Sequence, residues 1–189
     1  MSGTTDLALR PRVGIFGSAF QIERAEAEAL AQRVGRTIAG RGLITITGAT
    51  TGLPYIGGLA AIEMGGIVLG ISPARDASEH VGRFAKPLDG CTHIFYTGQG
   101  YTGRNYLNLR NCDLAIFLGG EAGTLEEFCI GVYEGLVLGV LTNSGGICEL
   151  LPAILQKFRT NHGGVCILGT EPETLLDDML VAHSAKQGK

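Results

Sequence analysis

The chain has 189 residues, 30 of them glycine, with a formal net charge of −3, 17% charged and 45% apolar residues. That balance is too apolar and too weakly charged for disorder, and the glycines lack the three-residue period of collagen. A pI near 5.8 argues against a nucleic-acid partner, and no window nears the ~18 uninterrupted apolar residues of a membrane span.

The first residues lack a charged start followed by an apolar run and a cleavage site, so no secretory signal is expected. Cys91, Cys112, Cys129, Cys148 and Cys166 are widely spaced and form no C-x-x-C pair. They read as thiols of a reducing cytoplasm rather than disulfides or metal ligands, and no metal or cofactor is expected.

Strands and helices then alternate. Residues 12–16 read as a strand ended by Gly17-Ser18. From Ile22 to about Ala39, apolar residues recur at helical spacing, Glu28 and Arg33 suggest a charge ladder, and Gly40 and Gly42 close the run. Residues 43–47 are a β-branched strand. Residues 54–64 form a helix with Pro54 in its first turn and Gly65-Gly66 as its stop. Residues 67–71 are a third strand, and the polar stretch 74–90 is expected to be a loop over one sheet edge.

Residues 92–96 are a fourth strand, followed by a glycine turn over 97–103 and a short helix over 104–111. The strand 114–118, a glycine turn over 119–123 and a helix over 124–138 follow. Further strands at 140–142 and 165–168, and helices over 147–158 and 172–182, complete the chain. Strands apolar throughout and alternating with helices indicate a mostly parallel, doubly wound sheet with helices on both faces. The expectation is a single Rossmann-like α/β domain over 1–189, with flexible ends at 1–11 and 184–189.

Ligands of such sheets bind beyond the carboxyl ends of the strands. The glycines cluster there: Gly17-Ser18, the run from Thr47 and Gly48 to Thr51 and Gly52, the set Gly98, Gly100 and Gly103, and Gly119-Gly120-Glu121-Ala122-Gly123-Thr124. Glycine lets backbone N–H groups approach an anion, and helix starts add unpaired donors. One such loop is an ordinary turn, but four on one rim favour phosphate binding. There is no G-x-x-x-x-G-K-[ST] loop, no G-x-G-x-x-G after the first strand, and no acid closing the second. None of the four lysines (Lys86, Lys157, Lys186, Lys189) belongs to a glycine loop, so a Schiff-base site for pyridoxal phosphate is rejected. Glu127 lies three residues after Thr124, which fits a capping box, and it equally fits a side chain aimed at the ligand rim.

The run from Gly119 to Glu127 resembles the P-G-G-x-G-T-x-x-E signature of the LOG-like family, Rossmann-type phosphoribohydrolases long mislabelled as lysine decarboxylases. Arg104, nine residues before Asp113, is similar to that family's helix arginine, and the resemblance covers about residues 12 to 142. Gly119 stands where the signature has proline, Glu121 stands at its second glycine, and Gly103-Arg104-Asn105-Tyr106 replaces M-H-E-R-K. Gly103-Arg104-Asn105 and Asp76-Ala77-Ser78-Glu79 look more like a sister branch that includes molybdenum-cofactor carriers.

The resemblance implies a phosphorylated nucleoside or pterin-like ligand held by Gly17, Ser18, Gly48, Thr51, Gly52, Gly120, Gly123 and Thr124. It implies hydrolysis of a nucleoside 5′-monophosphate to free base and ribose 5-phosphate, with Glu127 as the catalytic carboxylate, Glu126 as its understudy, and Arg104 gripping phosphate or ribose. The alternative is a carrier or sensor using the same loops. A homodimer or larger homo-oligomer is expected, from the resemblance and from the apolar helices over 124–138 and 147–158.

Overall fold

In the computed structural model, residues 9–19, 25–160 and 162–188 are described. Ile22, most of the expected N-terminal tail and Lys189 lie outside that set. β1 (Arg12–Gly17), β2 (Ile44–Thr47), β3 (Ile67–Ser72), β4 (His93–Tyr96), β5 (Leu114–Leu118), β6 (Val137–Leu141) and β7 (Val165–Gly169) form one sheet in the order β4-β3-β2-β1-β5-β6-β7. All six pairings are parallel. The chain builds outward from β1 to β4, then crosses back and builds the other half from β5.

That reversal sends helices to both faces. On one face, α1 (Ala25–Gly40) and α7 (Pro172–Gln187) bring Leu30, Val34, Ile38, Leu175, Leu176 and Met179 onto Val13, Ile15, Leu114 and Ile116. On the other, α4 (Gly100–Arg110) and α5 (Ala122–Tyr133) bring Leu109, Phe128 and Val132 onto Phe16, Ala115 and Phe117. Successive strand residues point to opposite faces, and both faces are covered, so β1 and β5 are apolar at almost every position. The LAIFL sequence of β5 is buried throughout.

α1 and α2 (Leu53–Glu63) cross where Gly35 meets Gly57: a Cβ on Gly35 would stand 1.9 Å from the Gly57 carbonyl oxygen. Arg33 does not serve a ladder along α1. Its guanidinium reaches Glu171 at 2.7 Å and Glu173 at the start of α7, tying the two helices together.

Several boundaries differ from the sequence reading. The 74–90 stretch contains α3 (Ala77–Gly82), whose N-cap Asp76 accepts the Glu79 N–H at 2.8 Å. α4 starts at Gly100 rather than Arg104, so that Gly100 and Gly103 lie inside its first turn while Gly98 stays ahead of it. α5 ends at Tyr133: Gly135 turns to φ 67° and returns its N–H to the Val132 carbonyl. That left-handed stop frees the apolar run after it to be β6, beginning at Val137. The 147–158 helix is a 3₁₀ turn, Gly146–Glu149, followed by a short α6 (Leu151–Leu155). Pro152 cannot donate to the preceding turn, so the helix restarts there. At the other end, α7 runs to Gln187, beyond the expected Ala182.

The Gly35 crossing gives a direct test. Gly35→Ala forces α1 and α2 apart and costs about 3 kcal/mol, the upper end for overpacking a core. Denaturant unfolding reads it as a lowered midpoint at unchanged slope.

Candidate functional site

β1 and β5 pair in register from Val13 with Leu114 to Gly17 with Leu118, so the two strands end level. Beyond them the chain parts, because the helices that follow lie on opposite faces of the sheet. A crevice at this switch in strand order is the usual ligand position in such sheets. Here it is a cavity of about 350 Å³, lined by Gly17 and Ser18 after β1, Gly48 after β2, Arg104 and Asn105 from α4, and the start of α5. The turn into α5 is braced from behind: Gly119 N–H donates to Ser144 Oγ at 2.8 Å, and Ile147 N–H donates to the Gly120 carbonyl at 2.8 Å.

One wall is a polar network between two helices. Arg104 and Glu127 are 5% and 6% exposed, and Arg104 Nη1 lies 3.4 Å from Glu127 Oε1. Asn108 Nδ2 donates to the same Oε1 at 3.0 Å, and Asn105 Nδ2 donates to Glu126 Oε2 at 2.8 Å. All five residues are on facing turns of α4 and α5. Gly48 makes room for the cation, since a Cβ there would come within 2.3 Å of Arg104 Nη1. Burial pushes the Glu127 carboxyl up to about 7, against the pull of the Arg104 charge and the Asn108 hydrogen bond. Burial likewise lowers Arg104 from the ordinary arginine range, with Glu127 opposing. The pair is held charged by proximity and discharged by desolvation, which makes Glu127 titrate near neutrality.

The profile of the SLOG cluster4 family matches residues 10–176. The chain belongs to this family. No curated protein matches the sequence. Among solved structures, the structural-genomics target TM1055 superposes with a TM-score of 0.79 at 22% identity, covering 90% of this chain and 99% of that one. The molybdenum cofactor binding protein of the phototrophic bacterium Rippkaea orientalis gives 0.74 at 23% identity, covering 91% and 96%. DNA processing protein A of Helicobacter pylori, whose single-stranded DNA binding mode has been described, gives 0.62 at 19% identity, covering 93% and 84%. These likenesses establish a Rossmann-like fold. Among the described residues, no helix is long and apolar enough to cross a membrane.

In this SLOG chain the residues singled out from sequence divide into two groups. Gly17, Ser18, Gly48, Arg104, Gly123, Thr124 and Glu127 line the cavity. Thr51, Gly52 and Gly120 stand behind it, as supports of the rim. Thr51 Oγ1 donates to the Ala19 carbonyl at 2.6 Å, Leu53 N–H beside Gly52 donates to the Ser18 carbonyl at 2.8 Å, and Gly120 packs against the Thr124 side chain. The capping box fails, because α5 starts at Ala122 with Glu121 at its N-cap, and Thr124 is already inside the first turn. Glu121 is exposed and lines the cavity mouth.

Sequence reasoning missed Lys86, Asn105 and Tyr101, which also line the cavity. Lys86 Nζ donates to Thr51 Oγ1 at 3.1 Å, so one lysine does reach a glycine loop, in space rather than in sequence. Asn105 and Asn108 had a legible signal: with Arg104 they recur at helical spacing on one face of α4.

Glu127 sets a pH dependence of stability. Its folded value, about 7, lies above the 4.5 of a free glutamate. The folded state therefore binds more protons between those values, and the contribution, complete below 4.5, is lost as pH rises through 7. Glu127→Gln lacks that loss, so its stability relative to wild type rises from pH 5 to pH 8 in paired denaturant melts. Parallel pH profiles would contradict the buried, titrating carboxyl.

Proposed function

We propose that the cavity binds a phosphorylated, nucleotide-like small molecule and that the protein hydrolyses the N-glycosidic bond of a nucleoside 5′-monophosphate. The supporting observation is the Glu127–Arg104 pair in the wall of a cavity at the switch point. A cavity of about 350 Å³ is at the small end of the ~300–1,000 Å³ range of small-molecule sites. That size suits one nucleoside and one phosphate better than a dinucleotide.

In this reading the sugar lies beside Glu127. As the bond from C1′ to the base nitrogen breaks, positive charge builds on the sugar, and the carboxylate stabilises it. Water adds its oxygen to C1′, one of its protons leaves with the base, and ribose 5-phosphate is the other product. Arg104 holds ribose or phosphate oxygens by charge-assisted hydrogen bonds. Gly17, Ser18, Gly123 and Thr124 line the ligand, while Thr51, Gly52 and Gly120 fix the shape of the rim.

The second reading is a carrier or sensor that binds without cleaving. Glu121 at the N-cap of α5 favours it, since a carboxylate at the cavity mouth opposes a phosphate seated on that helix start. The likeness to the Rippkaea molybdenum cofactor binding protein supports a pterin-like ligand under this reading. A DNA partner fits less well, because the chain carries a net charge of −3 and the cavity wall holds three carboxylates. We further propose a single domain that acts as a homo-oligomer, on the family resemblance. The apolar helices first invoked for it are both shorter than expected. Five free thiols suit a cytoplasmic location.

A panel of nucleoside 5′-monophosphates, followed by chromatography of free base, tests the enzyme reading. Release is expected to rise with pH through about 7 as Glu127 ionises, and Glu127→Gln is expected to cut kcat about a hundredfold. Release that survives both Glu127→Gln and Arg104→Ala would overturn the mechanism. No release, with a nucleotide or pterin retained on the purified protein, would favour the carrier.

A further inference from the structure

Lys86 is a cavity residue that the catalytic scheme does not use. Its Nζ donates to Thr51 Oγ1, which in turn donates to the Ala19 carbonyl, so the ammonium is pinned where the loops after β1 and β2 meet. The backbone beneath it is equally fixed. Lys86 N–H donates to the His80 carbonyl at 3.1 Å, and the wholly buried His80 bridges the Pro87 carbonyl at 3.0 Å and Ser72 Oγ at 2.8 Å. His80 thus ties the segment after α3 to the end of β3 and holds Lys86 at the cavity.

The charge around Lys86 is unbalanced. Arg12, Arg33, Arg41 and Arg110 each meet a carboxylate, and so does Arg104. Lys86 forms no ion pair with a carboxylate among the described residues, and its hydrogen-bond partner is a neutral hydroxyl. Burial, and after it the positive charge of Arg104, pulls Lys86 below the ordinary lysine range. Two cations that line one cavity and repel each other are relieved by an anion between them, and a desolvated ammonium gains most from such a partner.

We propose that Lys86 and Arg104 together form an anion subsite, with Lys86 as the residue that recognises the phosphoryl group of the ligand. The inference rests on reading this cavity as a ligand site and names the end at which phosphate is held. It moves the phosphate away from the start of α5, where Glu121 stands, and toward the Thr51 side of the rim. Glu126 and Glu127, held by Asn105, Asn108 and Arg104, are left to face the uncharged part of the ligand. The same chemistry serves free phosphate and a phosphomonoester, so both are assayed.

Affinity is measured by calorimetry for inorganic phosphate, for AMP, GMP, CMP and UMP, and for the four matching nucleosides. The proteins are wild type, Lys86→Met, Lys86→Gln and Lys86→Arg. Inorganic phosphate is expected to bind wild type, and Lys86→Met to weaken phosphate and any bound monophosphate at least about tenfold, as loss of a charge-assisted hydrogen bond implies. Affinity for the unphosphorylated nucleoside is expected to hold, and Lys86→Arg to restore most of the phosphate affinity. Ligand-free Lys86→Met is expected to melt no lower than wild type, since a repelled cation is removed; if it misfolds, Lys86→Gln carries the same reading. Phosphate that binds wild type and Lys86→Met equally, or neither, overturns the subsite. Phosphate binding that depends on Lys86 without any nucleotide binding keeps the subsite and removes the nucleotide reading. Nucleotide binding indifferent to Lys86 does the reverse.

Discussion

The ladder between β1 and β5 is the constraint from which the rest of the molecule follows. It joins segments about a hundred residues apart in sequence, and it is where the chain turns from one half of the sheet to the other. Its lower end is clamped: Arg12 donates from its backbone N–H to Asp113 Oδ2 at 2.8 Å and grips the same carboxylate with two guanidinium hydrogen bonds of 3.0 Å. Asp113 N–H returns a 2.8 Å bond to the Arg12 carbonyl. A one-residue slip would break this clamp and turn Val13, Ile15, Leu114 and Ile116 toward the wrong helices. Fixed at the bottom and parallel throughout, the two strands end level, and the divergence of the loops above them opens the cavity.

The glycine excess serves that geometry in three ways. Some glycines, such as Gly135, stop helices and set the lengths of the elements. Others permit contact: Gly35 brings α1 onto α2, and a Cβ on Gly17 would stand 2.0 Å from the Leu118 carbonyl oxygen across the ladder. A third use is specific to the site, where Gly48 leaves room for a guanidinium that could not otherwise lie against the end of β2. Composition alone does not separate these uses. Each is decided by what stands opposite the missing side chain.

The architecture was legible because local and tertiary preferences agree. Apolar strands bounded by glycine and helices of apolar period fix the order of elements, and that order with right-handed crossovers leaves few sheets to choose from. Boundaries failed where one apolar run suits two elements, as between α5 and β6, or where a proline divides one helical pattern into two short turns. Cavity-lining residues at the strand ends were legible from the glycine turns that follow them, and Arg104 and Glu127 from the family resemblance. Lys86 was not, because nothing in a polar, aperiodic segment indicates where its side chain ends. The buried His80 that fixes it carries no periodic signal either. Thr51, Gly52 and Gly120 show the opposite: a glycine or threonine in a rim loop can shape the rim without lining the cavity.

The Arg104–Glu127 pair is poorly explained as a device for stability. Taking both charges out of water costs more than a distant attraction returns, and the 3.4 Å separation exceeds the ~2.7–2.9 Å of a strong charge-assisted bond. Its surroundings are not fully matched, since Arg104 Nε and Asn108 Oδ1 are buried without a hydrogen-bond partner among the described residues. A core built for stability would replace such a cluster with apolar side chains of the same volume. The fold instead spends two helices, a glycine and two asparagines on holding it beside a cavity. That pattern is expected where charged groups are pre-set for a ligand, because groups fixed before binding need no reorganisation when the ligand's own charge arrives. With a single 3.4 Å contact to Glu127 Oε1, the arginine keeps donor capacity that an ideal, bidentate pair with Glu127 would have consumed.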